Sequence, residues 1–441
     1  MTKQKWKNLQ KKCSMWGKSR TFARLFERMR VLIINTSERI GGAAIAANRL
    51  MEALKKNGVK AKMLVRDKQT DRLTVLSVGM NWTQPFKFLW ERLCIFIANG
   101  FSRKNLFQVD IANAGTDVTH HPEFQRADVI HLHWVNQGYL SLANLNKIMH
   151  SGKRVVITMH DQWYFTGICH YSASCEKYST LCEKCELMRG SLLGDLAKQV
   201  FHKKEKIYNQ AKLTFVGCSQ WMADLAKKSK LTQGHRVVSI PNAIDTHVFR
   251  PMDRQEARET FHLPQDKQLL LFGCQRITDE RKGFHLLVEA LQYIKEQHAD
   301  QASNIELVVV GGEVESVQNQ VPFNTIPVRY VSDPQKMVQL YNAVDIYVTP
   351  SLQDNLPNTI MEALACGIPC VGFRVGGIPE MIDHQENGYV AQYKDAEDFA
   401  NGILWTLSAD HETLSRQARN KVMVTYSENA VARKYMDVYE D

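Results

Sequence analysis

Long apolar runs are missing from this chain of 441 residues. No stretch of 18 apolar residues occurs, so the sequence predicts no membrane-spanning helix. The basic N-terminus lacks an uninterrupted apolar segment, and a secretory signal is therefore not expected. Prolines are few, at 12, and 44% of the residues are hydrophobic, which excludes a disordered chain. At ~100–200 residues per domain, we expect two or three globular domains.

Most of the chain also lacks an excess of charge. Its 56 lysines and arginines against 46 acidic residues give +10, which alone would favour nucleic acid, an anionic membrane surface or a phosphorylated ligand as partner. Residues 1–30 hold ten basic side chains and one acid, so +9 of the excess lies there. The nearly neutral remainder argues against nucleic acid as a partner. The basic arm at residues 1–28 is either a contact to a peripheral anionic membrane surface or an appendage before Met29.

Apolar runs of strand length alternate with helical segments along the chain. This alternation predicts an α/β fold with two Rossmann-like, doubly wound parallel-sheet domains. A stretch with two prolines and no clear periodicity, residues 239–251, marks the junction between them. Strands are predicted at residues 31–35, 61–65, 129–132, 155–159, 269–272, 305–310, 346–349 and 369–373.

One segment, residues 81–108, is unusually aromatic, with basic residues interleaved. It predicts either a helix packed on the domain core, which we favour slightly, or an amphipathic segment lying on a membrane. Both interpretations hold if one face packs and the other is exposed. The aromatic residues are Trp82, Phe86, Phe88, Trp90, Phe96, Phe101 and Phe107.

Two loops that follow predicted strands carry charged side chains suited to a nucleotide ligand. In residues 275–283, Arg276 and Lys282 can both reach one anionic group. In residues 350–367, Asp354 lies in a loop, and Glu362 lies eight residues later on the following helix. That helix is expected to begin near residues 355–359, where its free backbone amides are suited to binding an anion. Ligands of open parallel sheets bind at the carboxyl ends of strands, where both loops are expected.

Together these stretches resemble the retaining glycosyltransferases of family 4, which have the GT-B fold of two Rossmann-like domains facing a cleft. The resemblance rests on Arg276 and Lys282, on Asp354 with Glu362, and on the segment EALACGIPCVGFRVGGIPEMIDHQENGYV from Glu362. Asp354 and Glu362 fall on the Glu-x7-Glu motif of the family. The resemblance runs from about Met29 to the C-terminus.

The resemblance implies a domain plan. Residues 29–245 would form the acceptor-side domain, residues 246–420 the nucleotide-sugar domain, and residues 421–441 a helix that returns to the first domain. The implied reaction moves a sugar from a UDP- or GDP-sugar to a lipid-linked glycan acceptor at the inner face of a bacterial membrane. No Asp-x-Asp occurs, which agrees with transfer that needs no metal cofactor.

The resemblance also implies roles for individual residues. Arg276 and Lys282 would neutralise the diphosphate, and Glu362 would contact the ribose. Asp354 would contact the donor sugar, and His160 would serve the same sugar or the positive charge that develops on it. Further donor-binding residues are implied at Gly41, Gly42, Asn355 and Leu356.

Two departures from the family pattern affect the donor sugar more than the fold. Asp354 replaces the usual first glutamate, and Asn355-Leu356-Pro357 replaces a loop that usually contains glycine. Two other functions remain open: a nucleotide-sugar 2-epimerase, and a non-catalytic scaffold of a polysaccharide assembly complex.

Four of the ten cysteines, Cys169, Cys175, Cys182 and Cys185, lie within 17 residues. Their spacing predicts a structural zinc site, with Cys182-x2-Cys185 as the better-matched half and His170 as a substitute ligand. Buried free thiols and a redox or disulfide role are the alternatives. The pattern resembles a cysteine-rich insertion in family 4 enzymes of surface polysaccharide synthesis. Of the others, Cys218, Cys274, Cys366 and Cys370 are predicted to be core residues.

Overall fold

The structure is a computed structural model that describes residues 29–79, 83–189, 194–312, 314, 320–329, 331 and 333–441. The basic arm at residues 1–28 and Trp82 of the aromatic segment lie outside the described residues. The chain divides into two compact units. One runs up to Val216 and adds Ala226–Val238 and Ala432–Asp441, and the other consists of Gly217–Leu225 and Ser239–Val431.

The first unit is built on a seven-stranded sheet in the order β3-β2-β1-β4-β5-β6-β7. The pairs from β3 to β5 are parallel. All residues of β1 after the first are buried, as expected of a central strand covered on both faces. The strands are β1 (Arg30–Ser37), β2 (Lys60–Asp67), β3 (Val75–Ser77), β4 (Val129–Leu132), β5 (Arg154–Met159), β6 (Leu213–Gly217) and β7 (Arg236–Ser239).

The second unit is built on a six-stranded sheet in the order β10-β9-β8-β11-β12-β13, and every pair in it is parallel. Leu269 and Leu271 of β8 belong to one hydrophobic core, and Leu270 and Phe272 to another. This alternation places a core on each face of the sheet. The strands are β8 (Gln268–Arg276), β9 (Ile305–Gly312), β10 (Thr325–Arg329), β11 (Ile346–Thr349), β12 (Cys370–Phe373) and β13 (Gly388–Ala391).

Helices connect the strands in both halves of the chain. Several begin at an aspartate whose carboxylate accepts a hydrogen bond from a backbone amide of the first turn, including Asp253, Asp395 and Asp410. The helices are α1 (Gly42–Lys56), α2 (Gln84–Ala98), α3 (Pro122–Arg126), α4 (Leu142–Met149), α5 (Leu196–Asn209), α6 (Gln220–Lys228), α7 (Arg254–Thr260), α8 (Phe284–Gln297), α9 (Ala299–Ala302), α10 (Pro334–Asn342), α11 (Asn358–Ala365), α12 (Ile378–Met381), α13 (Ala396–Ser408), α14 (His411–Thr425) and α15 (Glu428–Glu440).

The prediction of two doubly wound parallel sheets is confirmed, but the single helix predicted at residues 421–441 is wrong. The chain leaves the helical path after α14, because Tyr426 accepts a hydrogen bond from the backbone of Ile244 at 2.9 Å and Ser427 pairs with the same residue. A new helix, α15, then begins. The second unit also starts at Ser239, before the predicted boundary at residue 245, and takes in Gly217–Leu225.

Candidate functional site

The strand order of the second unit reverses between β8 and β11, which are neighbours in its sheet. At such a reversal the loops that follow the two strands diverge and leave a crevice at the carboxyl edge. The loop after β8 contains Lys282, and the loop after β11 contains Asp354. The structure therefore brings the two predicted motifs to the one point of this sheet where the fold itself forms a ligand site.

Lys282 and Asp354 contact each other directly across these loops. The Lys282 ammonium donates a hydrogen bond to Asp354 Oδ2 at 2.6 Å. Both side chains are only partly exposed, so the pair is less screened than a surface ion pair. Two groups that the sequence assigned separately to the diphosphate and to the sugar are thus held together before any ligand is present.

A glycine allows the two loops to approach so closely. Gly283, next to Lys282, has φ +66°, and a Cβ there would lie 2.0 Å from the carbonyl oxygen of Pro350. Leu352 also donates its amide to the carbonyl of Arg281 at 2.7 Å. Only glycine fits this backbone position, and the Lys-Gly sequence is therefore part of the site.

Two further glycines, Gly376 and Gly377, pack closely against the backbone of Asp354 and Asn355. A Cβ on Gly376 would lie 1.7 Å from the Asp354 carbonyl oxygen, and one on Gly377 would lie 2.0 Å from that of Asn355. Ser219 donates to Asn355 Oδ1 at 2.6 Å. The Leu356 side chain packs in the hydrophobic core, so a donor contact at this residue would be made by its backbone.

Glu362 lies on α11, behind the loop that carries Asp354, and is largely buried. Its Oε2 accepts a hydrogen bond from the hydroxyl of Tyr341 at 2.9 Å. Burial and the adjacent Glu362 raise the pKa of Tyr341 well above its usual value, so this hydroxyl remains a donor. The sequence did not single out Tyr341, because nothing in the pattern of α10 distinguishes it from a core tyrosine.

Arg276 ends β8 at the same edge and is exposed. Within the described part of the chain its guanidinium makes no ion pair or hydrogen bond, unlike the ammonium of Lys282. It is therefore available to an anion that approaches from solvent.

Gly41 and Gly42 stand after β1, at the carboxyl edge of the first sheet, where α1 begins. Gly41 has φ +88° and no atom within 4 Å of a Cβ placed on it. The glycine is thus required by the turn rather than by crowding. These two glycines belong to the first unit, whereas Lys282 and Asp354 belong to the second.

His160 directly follows β5 and belongs to a group of three histidines in the first unit. His160 Nε2 and His133 Nδ1 are hydrogen-bonded at 2.8 Å, and the His131 ring lies 4.4 Å from that of His133. Burial lowers the pKa of His160 to about 4 and that of His131 to about 3. All three rings are therefore neutral at pH 7. Sequence reasoning found only His160, although the His-x-His spacing of the other two, His131 on β4 and His133 just after it, is visible in the sequence.

The C-terminal helix contributes to the same group. Tyr439 of α15 is hydrogen-bonded to His131 Nδ1 at 2.7 Å, and Tyr435 to Thr158 at 2.9 Å. Thr158 in turn contacts His131 Nε2 at 2.7 Å. Residues from the end of the chain thus fix the ring of a strand residue in the first sheet.

The four clustered cysteines do not form a metal site as the structure places them. Within the described ranges, which include all four, no three cysteine, histidine or acidic side chains are arranged to hold an ion. Cys169 is buried and the other three are partly buried, all as free thiols. Burial raises the pKa of Cys169 to about 12 and that of Cys182 to about 11. Zinc therefore remains a prediction from the sequence.

The other cysteines largely follow the sequence. Cys218, Cys366 and Cys370 are buried, as predicted for core residues, whereas Cys274 is only partly buried. Cys274 lies near the end of β8, where the strand leaves the core for the site.

Comparisons with known proteins agree with this geometry. Residues 40–248 match the family model "Glycosyltransferase Family 4", and residues 266–409 match "Glycosyl transferases group 1". A crystal structure of Alr3699/HepE from Anabaena in complex with UDP and glucose superimposes with a TM-score of 0.61 at 15% identity, covering 94% of this chain and all of that one.

Two curated relatives align over shorter stretches. The N-acetyl-alpha-D-glucosaminyl L-malate synthase of Bacillus anthracis is 24% identical over 46% of this chain and 54% of its own length. The amylovoran biosynthesis glycosyltransferase AmsK of Erwinia amylovora is 28% identical over 42% of this chain and 46% of its own length. The chain thus spans about half the length of these relatives.

The two doubly wound parallel-sheet domains have the GT-B fold, and the models that match both halves of the chain are of glycosyltransferases. Within that class the chain is family 4-like, with a Glycosyltransferase Family 4 domain in its first half and a group 1 domain in its second.

Proposed function

We propose that the protein is a retaining glycosyltransferase that moves a sugar from a UDP- or GDP-sugar to a lipid-linked glycan in the synthesis of a bacterial surface polysaccharide. The observation that carries this proposal is the Lys282–Asp354 ion pair at the carboxyl edge of β8 and β11, with Glu362 on the helix that follows. The name of the Erwinia relative supports the polysaccharide, and the UDP and glucose bound to the Anabaena protein support the donor class.

The leaving group would be neutralised by Arg276 and Lys282. A departing diphosphate carries more negative charge than the bound donor, so cations fixed beside it favour the transition state over the ground state. Lys282 is already oriented by Asp354 at 2.6 Å, and little reorganisation is needed when the charge develops. The uncapped start of α11 at Pro357 adds backbone amides suited to the same anion.

Recognition of the donor would be divided between the two carboxylates. Glu362, held by Tyr341, would accept hydrogen bonds from the ribose hydroxyls. Asp354 would accept hydrogen bonds from the sugar while it orients Lys282. Because aspartate is one methylene shorter than the usual glutamate, the sugar must approach this backbone more closely.

The acceptor side would be formed by the first unit, with Gly41 and Gly42 near the donor and His160 at the sugar. With a pKa of about 4, His160 is neutral at physiological pH. It would contact the sugar as a hydrogen-bonding group, and it would not act as a cation. In retaining transfer, the departing diphosphate itself would take the proton of the acceptor hydroxyl.

The enzyme would work from the cytoplasm as a peripheral protein on the inner face of the membrane. Among the described residues, none of the helices combines the length and the apolar character needed to cross a bilayer. The basic arm at residues 1–28 would add electrostatic attraction to anionic lipid, at up to ~1 kcal/mol per basic residue near the surface.

A panel of UDP- and GDP-sugars tests the donor assignment, with release of nucleoside diphosphate as the readout. One donor should be turned over, and Arg276→Ala and Glu362→Ala should each lower its turnover strongly. Lys267→Ala is the matched control, because Lys267 precedes β8 at the opposite edge of the sheet. Retained polymer synthesis in cells carrying either site variant would contradict the proposal and favour a scaffold.

A further inference from the structure

The helix α2 exposes large apolar side chains and buries Glu91 and Arg92. A helix on a water-exposed surface usually has the reverse arrangement. Leu89, Trp90 and Leu93 are 46–58% exposed, and Phe86 one turn earlier is also exposed. These positions follow the i, i+3, i+4, i+7 spacing and so lie on one side of the helix. We call Leu89, Trp90 and Leu93, with Phe86, the α2 apolar face.

The opposite side of α2 buries two of its three acidic or basic residues, Glu91 and Arg92, in the first unit. Arg92 donates to Asp110 Oδ2 at 3.1 Å and to the carbonyl oxygen of Leu106 at 2.6 Å. Glu91 Oε1 accepts the amides of Ile111 and Ala112, at 3.1 and 2.5 Å. Glu91 and Arg92, with the apolar Ile95 and Ala98, therefore hold this helix to its domain, while the α2 apolar face is exposed.

Such an inversion is costly unless something covers the outer face. Large apolar side chains gain free energy when they leave water, and contiguous exposed apolar patches usually mark contacts with partners or membranes. The buried side of α2 agrees with the packed-helix interpretation of residues 81–108, whereas the membrane interpretation stays a prediction for the exposed side.

The charges of α2 and of the loop that follows it indicate the occupant of the face. Glu91 is the sole acidic residue between positions 83 and 108, and it is fully buried. The exposed charges of this stretch are Arg103 and Lys104, both basic. In a two-fold dimer both copies use the same surface, so the cations of one copy would face those of the other and repel them. An anionic lipid surface complements them, and tryptophan and phenylalanine are typical at that interface.

We propose that the α2 apolar face, with Arg103 and Lys104, is the surface by which the protein binds an anionic lipid bilayer. Trp90 and its neighbours would enter the headgroup region while the two cations meet lipid phosphates. This assignment rests on the peripheral membrane association in the proposed function and gives it a location. It does not depend on the sugar transfer.

Vesicle co-sedimentation of the full chain tests the assignment, with phosphatidylglycerol/phosphatidylcholine vesicles and no sugar donor. Binding is measured at 0.15 M and at 0.5 M salt, because the higher salt screens the electrostatic contribution of the basic arm. The variant Leu89→Ser/Trp90→Ser/Leu93→Ser should lose at least tenfold in partitioning at both salts. The matched control is Leu73→Ser, which replaces a single, highly exposed leucine of the same unit and should bind as the unaltered chain does.

The charge component has its own pair of variants. Arg103→Glu/Lys104→Glu should weaken binding severalfold at 0.15 M salt and less at 0.5 M, whereas Lys60→Glu/Lys68→Glu, exposed lysines elsewhere in the unit, should not. Unfolding midpoints check that the variants are folded. Unchanged vesicle binding of the triple serine variant overturns the proposal. So does a dimer in light scattering that this variant converts to monomer, since the face would then serve a second copy. Donor turnover, measured separately without vesicles, reports on the transfer reaction alone.

Discussion

Lys282 and Asp354 are joined by a 2.6 Å ion pair between the loops that follow β8 and β11. The pair changes what each residue is expected to do. The Lys282 side chain is not free in solvent, because the hydrogen bond to Asp354 fixes its position. Asp354 contacts the lysine and, in the proposed function, would also bind the sugar, so substitution of either residue should disturb the other.

Removing the two partners singly and together measures this coupling. Lys282→Ala and Asp354→Ala should each lower donor kcat/KM by at least about tenfold, equivalent to about 1.4 kcal/mol. The double variant should lose less than the product of both effects, with a coupling energy of about 1 kcal/mol or more. Arg281→Ala, which removes an exposed ion pair with Asp279 on the same loop, should change activity less than twofold. Strictly additive effects would show that the pair has no role in the ground state or the transition state.

Tyr341→Phe isolates the support of Glu362. Loss of the 2.9 Å hydrogen bond should raise the donor KM severalfold with a small change in kcat, because Glu362 would keep its charge but lose its fixed position. A cost of about 1–3 kcal/mol in unfolding free energy is expected for the unsatisfied buried group. Tyr293→Phe removes an exposed tyrosine–glutamate contact of the same kind, at 3.1 Å to Glu397, and should alter neither quantity. Equal effects of the two variants would remove Tyr341 from the site.

Gly283→Ala tests whether the approach of the two loops forms the site. The added Cβ would lie 2.0 Å from a backbone carbonyl oxygen, so the loops must separate and donor affinity should fall more than tenfold. Gly58→Ala places alanine at a similar positive φ with nothing within 4 Å. It should cost only about 1 kcal/mol of stability and leave donor affinity unchanged. Intact donor binding in the Gly283 variant would mean that Lys282 reaches the donor from a separated loop.

The buried histidines should make stability depend on pH in a defined direction. Native His160 takes up a proton near pH 4, whereas the unfolded chain does so near pH 6.5. The unfolded state therefore binds more protons between these values, and stability is lost as pH falls from about 6.5 towards 4.

The variant His160→Asn should reduce that slope by up to about 1.4 kcal/mol per pH unit, measured by denaturant unfolding at several pH values. The exposed His262→Asn serves as its control and should keep the slope of the unaltered chain. If His160→Asn keeps that slope as well, His160 is protonated in the native protein near its ordinary pKa.

The zinc prediction has a direct test in metal analysis. Protein purified without chelator should contain about one zinc per chain if Cys169, Cys175, Cys182 and Cys185 bind it, with release of protons as the thiols ionise. Burial raises the pKa of the Cys169 and Cys182 thiols in the metal-free protein, so both would have to lose a proton on binding the metal. Absence of zinc would rule out the metal and leave free thiols as the interpretation.

The sequence predicted the repeated strands well, because each is a short apolar run between polar turns. The sheet-edge position of Lys282 and Asp354 also followed, since loops after parallel strands meet at one edge. Contacts between residues that are far apart in the sequence could not be predicted from the hydrophobic periodicity. Tyr341 meets Glu362 through packing of α10 on α11, and Tyr439 reaches His131 across 308 positions of the chain.

Two other outcomes depended on contacts that a local pattern does not contain. The helix breaks at Tyr426 because the backbone amide of Ile244, far earlier in the chain, donates a hydrogen bond to the carbonyl oxygen of Tyr426. The inverted orientation of α2 follows from Asp110, which draws Arg92 inward. A helical wheel alone places the aromatic residues of that segment in the core.

The most direct test of the central claim is calorimetric titration of the chain with UDP and with GDP, using Lys282→Ala and Lys267→Ala beside the unaltered protein. The account predicts that one nucleotide binds, that Lys282→Ala weakens it at least tenfold, and that Lys267→Ala leaves it unchanged. Equal binding to all three proteins, or no binding of either nucleotide, would contradict a nucleotide-sugar site at Lys282 and Asp354.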